Sequence, residues 1–241
     1  MRVAVVSDIH ANLEALEVVL ADLDRRKPDV TVCLGDFVGY GASPNPCIEL
    51  LRPRIETAVI GNHDDAALGR TSLEGFNHEA ASAARWTAQQ LTPENMEYLK
   101  SLPYQVSWKG ARLVHASPSE PESWHYVLSP AEADYELRGI EENACFIGHS
   151  HYPGTFVFDG RRSVYSRQAK IAIEPGRRFL VNVGSVGQPR DGDPRAAYLM
   201  WDVAANVIEH IRLEYDIEAA GAKIRGAGLP AFLAERLRWG E

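Results

Sequence analysis

Cysteine is scarce in this sequence: Cys33, Cys47 and Cys145 are the three among 241 residues. No two of them form a C-x-x-C pair, and an odd number does not suit a framework of disulfide bonds. Cys33 and Cys145 lie in apolar runs, where a free thiol behaves as a small hydrophobic side chain. The sequence therefore predicts buried cysteines without a redox or metal-binding role.

Long hydrophobic runs are also missing. No stretch approaches the ~20 apolar residues that a membrane-spanning helix requires, so no membrane contact is predicted. The segment Met1–Val6 runs directly into a predicted strand and lacks the pattern of a cleavable signal peptide. Together these observations predict a cytoplasmic protein.

An excess of positive charge is the third absence. The 25 Lys and Arg residues are outnumbered by 33 Asp and Glu residues, which gives a formal net charge of −8. Proteins that bind a nucleic-acid duplex generally present a basic surface that replaces counterions. No duplex partner is therefore expected, and an anionic substrate would need a local source of positive charge, such as metal ions.

The rest of the composition is that of an ordinary globular protein, with 45% hydrophobic and 24% charged residues. The length suits one large hydrophobic core, so residues 1–241 are predicted to form a single domain. In the first half, short apolar strands alternate with helical patterns, which predicts a parallel sheet. The predicted strands here are Val3–Val6, Val30–Leu34 and Thr57–Ile60. One predicted helix starts near Asn12, a short second helix ends near Leu51, a third covers Asn77–Leu91 and a fourth starts at Thr92.

The second half changes to short strands and hairpins. Lys109-Gly110 separates Gln105–Trp108 from Arg112–Val114, a pattern typical of a hairpin. Further predicted strands are Ala144–Ile147, Thr155–Phe158, Ser163–Tyr165, Phe179–Val183, Ala197–Trp201 and Val207–Leu213, followed by helical patterns near Glu218–Arg225 and Pro230–Arg238. The expected fold class is α/β, with a mixed two-sheet core and helices outside.

Polar clusters follow five of the predicted strands at the point where each strand ends. They are Asp8-Ile9-His10, Gly35-Asp36, Gly61-Asn62-His63-Asp64, His115 and Gly148-His149-Ser150-His151. Because ligands bind where the carboxyl ends of strands converge in open α/β sheets, we expect these side chains to meet. Any one of them alone is explained as a hydrogen-bonded polar residue, but together they indicate one site.

The residue types in these clusters favour divalent metal ions. Carboxylate, imidazole and amide-oxygen ligands suit Mn, Fe, Zn or Ni, whereas the lack of nearby thiolates argues against a structural zinc site. Asp8/His10 and His149/His151 are spaced i, i+2, which puts both side chains of an extended segment on one face. The ligands outnumber those that one ion takes, so two ions ~3.5–4 Å apart, bridged by a carboxylate, are predicted. Such a centre keeps a net positive charge that attracts a phosphoester.

These blocks, in this order, resemble the calcineurin-like metallophosphoesterases over residues 8 to about 195. The segments 35–41 and 182–190 resemble the small bacterial and archaeal phosphodiesterase branch of that family. The resemblance implies a four-layer α-β-β-α sandwich of two mixed sheets flanked by helices, with a dinuclear metal site at the strand ends. It also implies a metal-dependent phosphoesterase in which a metal-bridging hydroxide attacks phosphorus.

The resemblance further implies a role for each site residue. Asp8, His10, Asp36 and His151 would hold one ion, and Asp36, Asn62, His115 and His149 would hold the other, with Asp36 shared. His63 would contact the phosphate together with Asn62 and would act as the general acid that protonates the leaving group.

One departure from the family pattern occurs at Gly39 and Tyr40. The Ser/Thr protein phosphatases have Asp and Arg at these places, and that Asp orients the catalytic histidine. Protein phosphatase activity is therefore disfavoured. Asp64 is the candidate that orients His63 instead, although it also suits a position behind the metal ligands or an ion pair with Arg70.

Candidate substrate contacts lie outside the metal set. Arg190 and Arg195 suit either a phosphate clamp or a solvated charged loop. Trp124, His125 and Tyr126 lie in an irregular segment and suit either stacking on a base or ordinary loop packing, and residues 76–78 have the same two explanations. Of these residues, Arg190 and Tyr126 are predicted to bind substrate.

The leading functional hypothesis is hydrolysis of a phosphodiester or nucleotide-type phosphate bond in a small soluble molecule. The alternatives are a phosphomonoesterase of the same fold, a non-catalytic metal-binding scaffold and a metal-dependent nuclease. A scaffold is disfavoured because His63 and every ligand position are present, and a nuclease is disfavoured because no basic track is visible. The sequence predicts neither the native metal pair nor the oligomeric state.

Overall fold

Twelve strands and eight α-helices are present in the computed structural model, which describes residues 1–241. The strands are β1 (Arg2–Val6), β2 (Val30–Cys33), β3 (Thr57–Ala58), β4 (Gln105–Trp108), β5 (Ala111–Val114), β6 (Ala144–Ile147), β7 (Gly154–Phe158), β8 (Ser163–Ser166), β9 (Lys170–Ala172), β10 (Arg178–Asn182), β11 (Ala196–Asp202) and β12 (Val207–Leu213). The helices are α1 (Leu13–Arg26), α2 (Pro44–Leu51), α3 (Asn62–Ala67), α4 (His78–Gln90), α5 (Pro93–Lys100), α6 (Pro130–Gly139), α7 (Ile217–Gly226) and α8 (Ala231–Glu235).

The strands form two six-stranded mixed sheets, which confirms the predicted fold class. The first sheet has the order β3-β2-β1-β11-β12-β9, in which β1, β2 and β3 are parallel and β11 joins β1 antiparallel. The second sheet has the order β4-β5-β6-β10-β7-β8, in which β5, β6 and β10 are parallel. The loops after the parallel strands therefore lie at one end of each sheet, beyond the carboxyl ends of these strands, where they position the site.

The alternation of side chains along the strands builds the four layers. Val5 of β1 belongs to the buried core between the sheets, together with Phe146 of β6. Val6, on the opposite face of the same strand, packs under Leu16 of α1. Helices α1, α2 and α5 cover the first sheet in this way, and α6 covers the second. All three cysteines are buried and free, and no helix has the length and apolarity needed to cross a membrane.

Three elements differ from the sequence prediction. Helix α6 was not predicted, although its N-terminus carries a recognisable capping box: Ser129 Oγ accepts a hydrogen bond from Glu132 N, and the Glu132 carboxylate accepts one from Ser129 N. Helix α3 begins inside the cluster Gly61-Asn62-His63-Asp64, where the sequence predicts no helix. Strand β9 has three residues at the edge of a sheet, which is too short for a visible alternation.

A buried carboxylate joins α1 to the first sheet. Asp22 accepts hydrogen bonds from Tyr198 Oη at 2.5 Å and from Arg26 Nε at 2.8 Å. Burial acts to raise the pKa of Asp22, but the hydrogen bonds from Tyr198 and Arg26 outweigh it and the pKa is lowered. A carboxyl with a lowered pKa stabilises the folded state above its unfolded pKa, and this stabilisation is lost as the pH falls.

Asp22→Asn is expected to destabilise the protein by about 2 kcal/mol at pH 7, because it removes the charge from buried hydrogen bonds. For a chain of this size, this corresponds to a melting temperature lower by roughly 4–8 °C. The difference from the wild type should shrink as the pH falls below about 4, the ordinary pKa of an Asp side chain. Asp24→Asn is the matched control, since Asp24 is on the same helix but forms an exposed ion pair with Arg54. Equal destabilisation by both substitutions, measured by thermal unfolding, would contradict the role of Asp22.

Candidate metal centre

The five sequence clusters meet at the edge where the parallel strands end, and main-chain hydrogen bonds connect them. Asp8 N donates to Gly35 O at 3.0 Å, and His10 N donates to Asp36 O at 2.9 Å. The loop after β6 joins the loop after β5 through a bond from Gly148 N to His115 O at 2.9 Å. The position of each side chain is therefore fixed by the backbone of a neighbouring loop.

One group of side chains consists of Asp8, His10 and His151, all of which are buried. His151 Nε2 lies 3.1 Å from Asp8 Oδ1, and His10 Nε2 lies 3.7 Å from the same oxygen. The two Nε2 atoms of His10 and His151 are 3.1 Å apart. These three residues were all predicted to hold the first ion.

A second group consists of Asp8, Asp36 and His115. His115 Nε2 lies 3.4 Å from Asp36 Oδ2 and 3.9 Å from Asp8 Oδ1, and Asn62 Oδ1 is 3.1 Å from the same nitrogen. Asp8 therefore belongs to both groups. The sequence prediction gave the shared position to Asp36 alone. Asp36 also adjoins both groups, because its Oδ2 lies 3.6 Å from His10 Nε2 of the first group.

Main-chain carbonyl groups orient the histidine rings of the cluster. The Nδ1 atoms of His10, His115 and His151 lie 3.2, 2.8 and 2.5 Å from the carbonyl oxygens of Val38, Leu34 and Gln188. A carbonyl oxygen can only accept, so each Nδ1 carries the proton and each Nε2 faces the carboxylates. Metal-binding histidines are typically held in this way.

His149 lies beside the second group rather than inside it. Its ring centroid is 5.1 Å from that of His115, and its Nε2 donates to Trp124 O at 2.9 Å. The main-chain N of His149 donates to both carboxylate oxygens of Asp8, at 3.1 and 3.2 Å. Because Trp124 occupies Nε2, Nδ1 is the nitrogen of His149 that remains for a metal ion.

The donors at this cluster fit divalent cations. Asp36 Oδ2 is buried and has no hydrogen-bond partner, although a buried carboxylate oxygen without a partner is costly. The facing Nε2 atoms of His10 and His151 also need a proton or a cation between them. Imidazole and carboxylate ligands suit first-row divalent ions. Asp8, His10, Asp36, His115 and His151 are therefore the residues best placed to hold metal, with Asn62 and His149 adjoining them.

The cluster is electrostatically polarised without metal. Burial acts to raise the pKa of Asp36, but the charge of His115 outweighs it and lowers the pKa well below its usual range. Burial acts in the opposite direction on His115, where the carboxylates of Asp36 and Asp8 raise the pKa to about 9. Burial lowers the pKa of both His149 and His151 to about 3. Both carboxylates, Asp8 and Asp36, have lowered pKa values, and their negative charge favours a cation.

His63 stands at the wall of the adjoining cleft, outside both groups. It is buried, its main-chain N donates to Asp36 Oδ1 at 2.8 Å, and its Nδ1 has no hydrogen-bond partner. The rings of Tyr40 and Phe76 lie 4.3 and 5.1 Å from the ring of His63. A Cβ atom on Gly39 would lie 2.7 Å from His63 Nδ1, and Gly39 has φ +92°, so both space and backbone require glycine here. The rings of Tyr40 and Phe76 therefore orient His63, and no carboxylate forms a hydrogen bond with its ring.

The prediction that Asp64 orients His63 is wrong. The Asp64 carboxylate accepts hydrogen bonds from Val38 N and Gly61 N, both at 3.1 Å, and makes no hydrogen bond to the His63 ring, whose Nδ1 has no partner. Adjacent side chains at the start of a helix point in different directions, which explains the separation. Arg70 likewise forms its ion pair with Asp65, at 3.9 Å, and not with Asp64. Asp64 therefore connects the loops after β2 and β3.

A cleft of about 180 Å³ opens next to the cluster. Its lining includes the four residues predicted to contact substrate, which are Asn62, His63, Tyr126 and Arg190. Tyr126 is half exposed and stacks on His149, with ring centroids 4.2 Å apart. Arg190 donates to Tyr40 Oη at 3.0 Å.

Two lining residues, Tyr40 and Arg236, were missed as candidate contacts. Tyr40 contributes to the family patterns in the sequence, but nothing there marks it as a substrate contact. Arg236 comes from the turn after α8, far along the sequence from every metal motif, and no local pattern marks it. Phe76 and Asn77 also line the cleft, whereas His125 forms an exposed contact with Glu120.

Gly148→Ala is expected to weaken metal binding by at least about tenfold. A Cβ atom on Gly148 would overlap Ser7 Oγ and Asp8 Oδ2, so the Asp8 carboxylate has to move. Changes in the groups that hold a metal ligand in place typically lower the metal affinity by roughly 10- to 100-fold. Gly139→Ala is the control, because no atom lies within 4 Å of the Cβ position there. Calorimetric titration with Mn²⁺ measures the effect, and unchanged affinity in Gly148→Ala would contradict a metal role for Asp8.

A mixed two-sheet sandwich with a buried Asp–His cluster at its strand ends is the arrangement of a metallophosphoesterase. The sequence matches the model of the calcineurin-like phosphoesterase superfamily domain over residues 1–206, and the chain belongs to that superfamily. Members of this class are hydrolases that act on phosphoester bonds and depend on dinuclear metal sites. The resemblance seen in the sequence is thus confirmed.

Individual relatives extend over the whole chain. A metallophosphoesterase from Sphaerobacter thermophilus is 40% identical, with a TM-score of 0.88 over 100% of this chain and 99% of that one. The uncharacterized protein MJ0912 of Methanocaldococcus jannaschii is 43% identical over 98% of this chain and 96% of its own length. Hypothetical protein PH1004 from Pyrococcus horikoshii shares the fold at 20% identity, with a TM-score of 0.82 over 100% of this chain and 98% of that one.

Proposed function

We propose that this chain is a metal-dependent phosphodiesterase that hydrolyses a phosphodiester or nucleotide-type phosphate bond. The observation that carries the proposal is the position of His63. Its Nδ1 has no partner, and its ring lies in the wall of the same cleft that exposes Asp36, Asn62, His149 and His151. A proton-carrying group therefore adjoins a metal-binding cluster at one cavity.

The proposed metal centre contains two divalent ions, drawn from Mn, Fe, Zn or Ni. The residues that would hold them are Asp8, His10, Asp36, Asn62, His115, His149 and His151. Bound ions of this kind supply Lewis acidity toward a phosphate and lower the pKa of water. The chain's own contribution is to hold the ligands in fixed positions through the carbonyl groups of Val38, Leu34, Gln188 and Trp124.

His63 is proposed to protonate the oxygen of the leaving group. Burial lowers the pKa of His63 well below its usual range, while the charge of Asp36 acts in the opposite direction. The ring is therefore neutral at pH 7 before substrate binds. An anionic phosphate placed against Nδ1 favours the imidazolium form, because an opposite charge within a few ångström stabilises the charged state. Substrate binding thus prepares the proton donor.

The cleft suits a small substrate. Its volume of about 180 Å³ is below the roughly 300–1,000 Å³ of sites that enclose a drug-sized ligand, so it accommodates a phosphate and part of the attached group. Asn62 and Arg190 are proposed to bind the phosphate, and Tyr126 is proposed to contact the attached group at the rim.

A nucleic-acid duplex is not expected as a partner, and a cytoplasmic location stays a prediction.

A matrix of metals and substrates tests the proposal. The protein is stripped with a chelator, reloaded with Mn²⁺, Ni²⁺, Fe²⁺ or Zn²⁺, and assayed with bis-p-nitrophenyl phosphate, p-nitrophenyl phosphate and a set of nucleotides. We expect activity only after reloading, with the diester cleaved faster than the monoester. Faster cleavage of the monoester would identify a phosphomonoesterase instead. No hydrolysis with any metal would leave the chain as a non-catalytic scaffold.

A further inference from the structure

The loop after β6, residues 148–151, carries two candidate metal ligands in an unfavourable backbone conformation. We call it the ligand loop. His149 and His151 have φ values of 64° and 61°, in the left-handed region that residues other than glycine seldom adopt. Residues keep such a conformation only where the surrounding contacts determine it. Groups outside the ligand loop must therefore hold both histidines in place.

The side chain of Asn182 provides a contact that lies between the two histidines. Asn182 is the last residue of β10 and is buried. Its Nδ2 donates to Gly148 O at 2.6 Å and to Ser150 Oγ at 2.8 Å. These acceptors come directly before and directly after His149, and Ser150 also directly precedes His151. One amide group thus holds the ligand loop on both sides of one histidine and next to the other.

Asn182 is itself fixed by the second sheet. Its strand lies between β6 and β7, and Asn182 is opposite Ile147 on one side and Gly154 on the other. Ile147 directly precedes the ligand loop, and Gly154 follows it. Asn182 Oδ1 accepts a hydrogen bond from Gly184 N at 2.9 Å, which assigns the Nδ2 end of the amide to the ligand loop. The loop is therefore held at its middle by a residue from the centre of a sheet.

Two further contacts of the ligand loop each act on one histidine. Trp124 O accepts a hydrogen bond from His149 Nε2, and Gln188 O accepts one from His151 Nδ1. The loss of either contact would release one ring. Asn182 instead binds the main chain and the hydroxyl group between the rings, so its loss is expected to affect both histidines together.

We propose that Asn182 is a positioning residue that holds one ligand of each metal ion. The inference rests on the proposed function, in which His151 would bind the first ion and His149 the second. Because both histidines belong to the ligand loop, a displacement of this loop changes both metal sites. Asn182 acts through the loop, and its side chain contacts neither metal nor substrate.

Calorimetric titration of the chelator-treated protein with Mn²⁺ tests this role. For Asn182→Ala we expect both ions to bind at least about tenfold more weakly, the usual effect of removing a group that supports a metal ligand. Asn95→Ala is the matched control, because Asn95 is also buried and its Nδ2 donates two hydrogen bonds, to Asn45 and Glu49. Both variants lose two buried hydrogen bonds and should have lower melting temperatures. Weaker binding of one ion alone, or equal Mn²⁺ affinities in the two variants, would overturn the inference.

Ser150→Ala removes one of the two acceptors and gives a milder variant that tests the same contact. We expect it to weaken the binding of both ions about threefold, in line with the loss of one hydrogen bond. Added to Asn182→Ala, it should weaken Mn²⁺ binding by less than about twofold more, because residues in contact are not independent. Fully additive effects of the two substitutions would contradict a shared contact.

Hydrogen exchange of the metal-free protein provides a measurement that does not depend on metal. The main-chain amide groups of residues 148–152 should exchange at least about tenfold faster in Asn182→Ala than in Asn95→Ala, because local opening depends on the contacts that hold a segment. Equal exchange in the two variants would overturn the inference while the proposed function stands. If the wild type binds no Mn²⁺, the proposed function fails, and the exchange rates still decide whether Asn182 holds the ligand loop.

Discussion

Replacing Asp36 with asparagine is expected to give a folded protein that retains neither metal ion. Asp36 Oδ2 lies 3.6 Å from His10 Nε2 and 3.4 Å from His115 Nε2, so it faces one histidine from each group. This oxygen is also buried and has no hydrogen-bond partner. Asparagine has the same shape and tolerates the positive φ of 53° at this position, so the backbone need not change. The loss of charge is then the cause of any loss of metal.

The measurement is metal content by elemental analysis after dialysis, together with thermal unfolding to show that the chain is folded. Asp65→Asn is the matched control, since Asp65 is equally buried but bonds to Thr71 and Tyr104 instead of the cluster. We expect the control to keep its metal. Loss of one ion alone from Asp36→Asn would contradict a shared role for Asp36 and would leave Asp8, which belongs to both groups, as the bridging carboxylate.

His63→Ala is expected to keep both ions and to lower kcat by at least about 100-fold, the usual size of a general-acid contribution. The His63 side chain contacts the cluster only through ring packing on His10, and its hydrogen bond to Asp36 comes from the main chain, which the substitution preserves. The metal ligands should therefore stay in place.

Substrate choice separates proton transfer from simple packing. Protonation matters least for a good leaving group such as p-nitrophenol, so His63→Ala should lose less activity on bis-p-nitrophenyl phosphate than on a diester with an alcohol leaving group. His78→Ala serves as the control, because His78 is exposed at the start of α4 and does not line the cleft. The same fractional loss on both diesters would argue against His63 as the proton donor.

The metal ligands were predictable because their signals are local. Each cluster follows a predicted strand within one or two residues, and a parallel sheet brings such strand ends together. The side chains of Asp8, His10, Asp36, His115 and His151 do lie together there. The shared position of Asp8 was not predicted, because which carboxylate oxygen faces which group depends on loop conformations that the residue spacing does not determine.

The rim of the cleft depends on contacts between distant segments. Arg236 reaches the cavity because α7 and α8 pack with α4 around Tyr40, and no periodic pattern near Arg236 indicates that neighbour. Asp64 was misassigned for a related reason, since the main-chain N–H groups of Val38 and Gly61 that donate to its carboxylate belong to loops whose approach is a tertiary feature. The residues of the metal centre were therefore predictable from the sequence, whereas the residues that surround it were not.

Five of the seven candidate metal ligands have a left-handed backbone: Asp8, His10, Asp36, His149 and His151, with φ between 49° and 64°. A non-glycine residue in this conformation costs on the order of 1 kcal/mol. Five such residues cost about as much as the lower limit of the net stability of a typical domain, about 5 kcal/mol. A descendant that lost its need for metal would thus gain stability by replacing these ligands with glycine or asparagine. The backbone geometry of the metal centre is thus maintained at a cost in folding stability.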